Sequence, residues 1–428
     1  MKIAIVDGYS TGSALALRLH DQDVKVIHLR SQSANNPYLE RSFTPHAYAH
    51  DLGYTPDMAE AADQLAALGV ERVVAGAESG VMLAESLART LNLPTNRADT
   101  AHARRDKQLM ADAAHAAGLS TPRGTAAATP DQAVRWYKDS GFTHVVVKPP
   151  ASAGTDGVRF CSTLREVEEA CRTVLARPNM FGEHNTVALV QERLVGREYY
   201  INTVSEDGRH KAAEIWRYTK TVGDGSTPVY DYEEPVHPTS PAGRILRIFT
   251  FNVLDALGIR STAAHTEVMI TQRGPVLIET GARLGGATAP GIIERHLGVS
   301  QTGLLVRTLT QPGSLDTFDD EKPTPGDHLR NVELINHHRG LAHKGVADRI
   351  SELPTAEAVF LACNPGDQLE PTRDLLTSPG YVYLAGKPAV VQRDYEQLRH
   401  WESEGLYTGP AGAPQHTDVG CTTCPVSA

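Results

Sequence analysis

The chain has 428 residues, 41% hydrophobic and 21% charged, which suits a soluble globular protein of two or three packed domains. Its formal net charge of −10 excludes a general nucleic-acid or membrane-surface binder, because either would carry a basic face. Five scattered cysteines, an odd number, give no disulfide framework and fit a reducing cytoplasm.

The opening MKIAIVDG lacks the apolar core and cleavage site of a signal peptide and reads as a first strand. No stretch approaches the roughly 20 apolar residues of a membrane span. Over residues 1–98 strand-like runs (KIAIVD, VKVIHL, RVVAGA) alternate with helix-like ones (GSALALRLH, MAEAADQLAALG, GVMLAESLARTLNL). That alternation predicts an N-terminal α/β domain with a parallel sheet. In the DGYSTGSA turn Gly8 and Gly12 lie four apart, which is not the dinucleotide spacing G-x-G-x-x-G. The turn reads as the small-residue entry to a helix, whose N-terminus can face a substrate carboxylate.

From 99 to 312 a second domain is expected. Its small α+β lobe, about 119–190, holds the helix TPDQAVRWYKDSG, the strand HVVVKP, the strand-like VRFC and the helix TLREVEEACRTVLA. TVALVQERL and REYYINTVS follow and read as a strand pair, opening a core lobe at about 191–312. Residues 241–257 form a helix with Leu246, Phe249, Val253 and Leu257 on one face and Gly258 at its end. STAAHTEVMITQ and GPVLIETGARLGG read as a hairpin, and 313–428 as a C-terminal α+β cap with a mobile tail. Cys421 and Cys424 form a lone CxxC in that tail, with no second pair for a metal and no βαβ unit for redox work.

The chemistry concentrates in four places. Lys148 ends an apolar strand, so its stem is buried while its ammonium faces what lies beyond. The loop after it, Ser152-Ala153-Gly154-Thr155-Asp156-Gly157, is either a surface turn or a cradle that aims backbone N–H groups at a polyphosphate. Lys107 is either a second phosphate contact or a solvated helix lysine. Across the hairpin Glu267 and Glu279 meet as near neighbours if the turn lies at Gln272 to Gly274, and two such carboxylates invite a hard divalent cation. His265 shares the Glu267 face and reads as a satisfied core residue. Arg283 follows Glu279 by four and leads into Gly285-Gly286, where a guanidinium is shaped to hold a phosphoryl oxygen.

The order of these pieces, lysine, strand lysine, glycine loop, VQERLVGRE, then Glu…Glu…Arg, resembles the ATP-grasp enzymes over about residues 100–300. The resemblance implies an ATP-grasp fold and an ATP-dependent carboxylate–amine ligase that works through an acyl phosphate and releases ADP and phosphate. It implies that Lys107 and Lys148 grip the ATP phosphates and that Ser152, Gly154 and Thr155 close over them. The hinge Gln191, Glu192, Arg193 and Leu194 would read the adenine edge, and Glu198 would take the ribose hydroxyls. Glu267 and Glu279 would hold Mg²⁺, with Mn²⁺ as a substitute, and Arg283 would steady the transferred phosphoryl group.

IETGARLGG looks closest to the L-amino acid (dipeptide) ligases of the bacilysin-synthetase type, although Gly281 stands where many members of the family have asparagine. In that branch a loop supplies an acid and a histidine near the amino-acid substrate. Here the acidic, proline-rich 228–243 segment, expected as a loop, offers Glu234 and His237 for those roles beside Arg283 and Gly286. The expected partners are amino acids or amines, with no nucleic acid and no membrane, and a homodimer is possible. The alternatives are a ligase with another acyl donor, such as a γ-glutamyl or natural-product ligase, a carboxylase, and a non-catalytic nucleotide-binding module.

Overall fold

Strand β1 (Lys2–Val6) is apolar after its first residue because both of its faces are covered. Ile3 and Ile5 share a core with Leu15 and Leu19 of the helix Thr11–His20. Ala4 and Val6 share another with Leu65 and Leu87 of the helices Met58–Leu68 and Val81–Thr90. Beside it lie β2 (Lys25–Arg30), β3 (His50–Tyr54) and β4 (Arg72–Ala75), all parallel, in the order β3-β2-β1-β4. The edge strand β3, HDLGY, buries no side chain, so it left no apolar pattern to read. The computed structural model describes residues 1–33, 40–152, 154–222, 228–322 and 328–408; the tail with Cys421 and Cys424 lies outside them.

The glycines of the first turn serve close packing. A Cβ on Gly12 would lie 2.5 Å from the Gly76 carbonyl oxygen, and one on Gly76 would lie 2.5 Å from that of Asp7. The turns after β1 and β4 therefore meet backbone to backbone at the carboxyl ends of adjacent parallel strands, where open α/β sheets form crevices. The one-turn helix Glu78–Gly80 starts there.

The small lobe is an antiparallel sheet of β5 (Gly124–Ala127), β6 (Val145–Lys148), β7 (Arg159–Cys161) and β8 (Ala188–Glu192), in the order β5-β8-β6-β7. The helices Pro130–Ser140 and Leu164–Ala176 share its core through Ala133, Val167, Cys171 and Val174. Thr129 caps the first, with Pro130 at the first helical position, and Thr163 with Glu166 forms a capping box on the second.

The central sheet holds β9 (Gly196–Glu206), β10 (Arg209–Val222), β11 (Pro228–Pro235), β12 (Ala263–Thr271) and β13 (Gly274–Gly281). It continues through β14 (His328–Glu333), β16 (Ala356–Leu361) and β18 (Gly380–Gly386) from the C-terminal segment. The strand order is β13-β12-β9-β10-β11-β14-β18-β16, and β15 (Gly340–Leu341) pairs with β17 (Gln368–Leu369) apart from it. Leu246, Phe249 and Val253 of the helix Pro241–Ala256 are buried against this sheet, as their spacing predicts.

Two expectations are corrected. Residues 188–192 and 196–206 do not pair with each other; β8 belongs to the lobe sheet and β9 to the central sheet, so 193–195 is the crossing between lobes. Residues 228–235 form a strand and not a loop. Their prolines sit at the two ends, where they leave the ladder intact, and Val229 and Tyr230 are buried.

Gly12→Ala is expected to lower unfolding free energy by about 1–3 kcal/mol, the usual cost of overpacking, in urea denaturation. An unchanged midpoint would show that the two turns can separate freely.

Candidate active site

Between the lobe sheet and the central sheet lies a cavity of about 300 Å³. One part of its lining is apolar (Val146, Phe160, Leu194, Met269, Ile278), a slot suited to a flat base. The other part is charged, with Lys107, Lys148, Lys220, Glu198, Glu267 and Glu279. Ser152, Gly154 and Thr155 of the small-residue loop and Gln191, Glu192, Arg193 and Leu194 of the crossing complete the wall. At the crossing the Glu192 N–H donates to the Arg123 carbonyl (2.8 Å) and the Arg193 N–H to that of His144 (3.2 Å). The Glu192 carboxylate accepts from the Arg123 N–H (2.8 Å) and from Arg273. These bonds fix the crossing strand in place and leave Leu194, the next residue, beside the apolar slot.

Lys148 is only 8% exposed, and burial together with the Lys107 charge brings its ammonium down to about 8. Lys107 opens the helix Lys107–Ala116, whose first turn is capped by Asp106. Its ammonium donates to the Ser152 carbonyl (2.9 Å) and lies 2.9 Å from Glu279, so it ties the loop to the hairpin. Glu267 and Glu279 are direct cross-strand partners. Burial works against the Glu267 charge, but His265, Lys220 and Lys107 hold its carboxyl down at about 2. The Tyr218 hydroxyl donates to Glu267 at 3.3 Å. His265 is satisfied at Nδ1 by the Asn202 side chain (2.8 Å), and its Nε2 lies 3.6 Å from Glu267.

Lys220 is a site residue that sequence reasoning missed. It donates to Glu198 at 2.6 Å and sits over the rings of Tyr230 (4.2 Å) and Tyr218 (4.7 Å). Burial alone would lower its pKa, yet Glu198 and Tyr230 raise it above the ordinary value. Glu198 is itself raised by burial, against the pull of Lys220. No motif marks Lys220; only pairing β10 with β9 brings it to Glu198.

Arg283 is not in the cavity lining but at the seam with the N-terminal sheet, where its Nε donates to Glu78 at 2.9 Å. Gly286 lies at the same seam; the next N–H, that of Ala287, donates to the Ser10 hydroxyl at 3.2 Å. Glu234 and His237 are not brought to the cavity. The Glu234 carboxylate is engaged by Arg217, Arg330 (2.7 Å) and His328 (3.0 Å); against burial, His328 and Arg330 hold it down at about 2. His237 is exposed and bonds Thr239.

The neighbour Glu233 does not line the cavity either, but it lies on the other face of the sheet, the one that carries Tyr218 and Tyr230. It accepts from the Tyr200 hydroxyl at 2.7 Å, and burial raises it to about 7. The cause is a bulge: Tyr230 pairs with Lys220 but Tyr232 pairs with Thr219, leaving Asp231 as an extra residue. The bulge flips the two-residue alternation, so Glu233 and not Glu234 shares a face with Tyr218 and Tyr230. Glu333, on β14, is raised to about 8, first by burial and then by the Glu233 charge.

The two glutamates suit a divalent cation, but among the described residues no group of three or more His, Cys, Asp or Glu side chains is placed to hold one. The remaining ligands of such an ion would be phosphate oxygens and water. No helix among the described residues is long and apolar enough to cross a membrane.

Comparison with known proteins agrees with this geometry. Residues 142–290 match the ATP-grasp domain family. The chain is 32% identical over 351 residues to dapdiamide A synthase of Enterobacter agglomerans, spanning 81% of this chain and 82% of that one. Its fold is similar to that of an L-amino acid ligase from Bacillus licheniformis, with a TM-score of 0.72 at 20% identity over 93% of this chain and 97% of that one. It is also similar to N5-carboxyaminoimidazole synthase from Aspergillus clavatus, solved with ADP, with a TM-score of 0.68 at 12% identity over 94% and 98% of the two chains.

The raised Glu333 carboxyl carries a stability prediction. The fold binds its proton more tightly than the unfolded chain does, so its contribution is present below the ordinary carboxylate value and is lost as pH rises through about 8. Glu333→Gln removes that loss, at roughly 1.4 kcal/mol per pH unit at most. The melting temperature of the variant relative to the parent is expected to climb between pH 5 and pH 9. Parallel melting curves across that range would disprove it.

Proposed function

The chain belongs to the ATP-grasp family of ATP-dependent, ADP-forming carbon–nitrogen ligases, and from that premise we propose that it joins an amino acid to another amino acid or amine through an acyl phosphate. The observation that carries this reading is the single cavity that gathers an apolar slot, Lys107, Lys148 and the Glu267–Glu279 pair.

In this reading a carboxylate oxygen of the first substrate attacks the γ-phosphorus of ATP. The bond from that phosphorus to the β,γ-bridging oxygen breaks, and ADP leaves. A neutral amine then attacks the acyl carbon, phosphate departs with the carbon–oxygen electron pair, and the nitrogen gives up a proton. Mg²⁺, or Mn²⁺ in its place, would be held by Glu267 and Glu279 and would supply positive charge to the phosphoryl oxygens.

Lys107 and Lys148 offset the repulsion between the attacking carboxylate and the triphosphate, and Arg283 steadies the transferred group. Gln191 to Leu194 receive the adenine, Glu198 the ribose, and Ser152, Gly154 and Thr155 close over the phosphates. Glu233, poised near neutral pH and on the face that continues from Glu267, is better placed than Glu234 to be the acid near the amino-acid substrate. The likeness to dapdiamide A synthase is also compatible with a second reading, a natural-product ligase with a different acyl donor.

The test is phosphate release with ATP and Mg²⁺, screened over single and paired amino acids, with product masses read in parallel. Release confined to particular pairs, with a new mass equal to their sum minus water, is the expected result. Release without an amide product would overturn the amino-acid reading. Glu279→Gln or Arg283→Ala is expected to abolish turnover in a folded protein; near-normal ADP formation would refute the site.

Lys148 adds a proton-linked signature. Its ammonium is held near 8, and a bound phosphate would raise it, so nucleotide binding at pH 8.5 should take up a proton. Calorimetry of ADP binding in two buffers of different ionisation enthalpy should show that uptake in the parent and not in Lys148→Met. Equal uptake in both proteins would remove Lys148 from the phosphate site.

A further inference from the structure

Glu78 joins two parts of the chain that lie far apart, since Arg283 follows it by 205 residues. It follows β4 of the N-terminal sheet, yet its Oε2 accepts from Arg283 Nε at 2.9 Å and its Oε1 from Arg105 Nη1 at 3.0 Å. All three side chains are largely buried, at 11–13% exposure. Burial would raise the Glu78 carboxyl, but Arg283 and Arg105 hold it below the ordinary carboxylate value, so it is charged at neutral pH. Arg283 Nη1 is spent on the Leu284 carbonyl (2.8 Å), which leaves Nη2 as the guanidinium nitrogen with no acceptor among the described residues.

Gly281 makes this arrangement possible. A Cβ there would lie 2.7 Å from Glu78 Oε2 and 3.2 Å from Arg283 Cζ. This chain has no side chain at that position, and the Glu78 carboxylate occupies the space a side chain would need. Both carboxylate oxygens of Glu78 are taken by guanidinium N–H groups, so it is not arranged as a metal ligand.

We propose that Glu78 is the positioning residue for Arg283, holding its Nε edge so that the guanidinium presents Nη2 to the transferred phosphoryl group, and that Gly281 is its required partner. The inference rests on the role given to Arg283 under the proposed function. Arg105 extends the clamp: its guanidinium lies 5.0 Å over the Phe181 ring and 3.8 Å from Glu183 of the small lobe. Correct placement of Arg283 thus depends on the N-terminal sheet, the central hairpin and the small lobe being docked together.

The test uses Glu78→Gln, which keeps the shape and removes the charge, and Gly281→Asn, which rebuilds the side chain that Glu78 displaces. Each is expected to lower kcat roughly 10- to 100-fold, the usual cost of losing a group that orients a site residue. KM for ATP and the calorimetric ADP affinity should stay within about twofold. The double variant should lose little more than either single one, because both break the same contact. Spectra of protein labelled with ¹⁵Nε-arginine, with Arg283 assigned through Arg283→Lys, should show a protected Arg283 Nε–H that both variants lose.

A Glu78→Gln enzyme with unchanged kcat, or kcat losses that multiply in the double variant, would overturn the inference. So would an activity loss that only follows a fall in melting temperature. A wild type with no turnover on any substrate pair would overturn the ligase reading itself, and this inference with it. Turnover in the wild type that persists in Glu78→Gln would overturn only this inference.

Discussion

The cavity depends on the mutual neutralisation of charges that burial would otherwise expel. Isolated, each buried ammonium or carboxylate would cost several kcal/mol or give up its charge. Here cations and anions alternate: Lys107 against Glu279, Lys220 against Glu198, and Glu267 among His265, Lys220 and Lys107. Lys148 has the least support: burial pulls its ammonium down toward neutral pH, whereas Glu198 and Tyr230 raise that of Lys220. Lys107 holds two parts of the wall at once, the Glu279 carboxylate and the Ser152 carbonyl of the small-residue loop.

Such a balance needs elements that cannot drift apart, and the chain supplies it with three sheets that meet at the site. The crossing at 193–195 is pinned by Glu192, which holds the start of the small lobe at Arg123 and the tip of the hairpin at Arg273. The N-terminal sheet is joined to the hairpin's exit through Ser10 with Ala287, Thr11 with Thr288 and Glu78 with Arg283. The C-terminal segment adds β14, β16 and β18 to the same central sheet, so the face that carries Glu267 runs on without a break to Glu333. The functional face is one pleated surface assembled from distant parts of the sequence.

Much of this was legible from the residues alone. Alternating apolar runs revealed the parallel sheet, and the strand-ending lysine, the glycine loop and the hairpin glutamates revealed the cavity wall, because each is a local pattern. What stayed hidden was set by pairing. β3 escaped because none of its side chains is buried, and β11 because its prolines looked like loop residues when they only bound the strand. Lys220 and Glu78 carry no local signal: one needs β10 laid against β9, the other needs the N-terminal sheet laid against a glycine more than two hundred residues away.

The adjacent glutamates of β11 show how one residue of register decides chemistry. Glu234 is saturated by Arg217, Arg330 and His328 and held down at about 2, so it can neither accept a proton near neutral pH nor spare its charge for a substrate ammonium. Glu233 accepts from a tyrosine hydroxyl and lies near 7, where gaining and losing a proton cost little. The extra residue at Asp231 is what turns it inward. A strand without the bulge would exchange the two faces, putting Glu234 beside Tyr218 and turning Glu233 toward Arg217 and His328, with the composition of the segment unchanged.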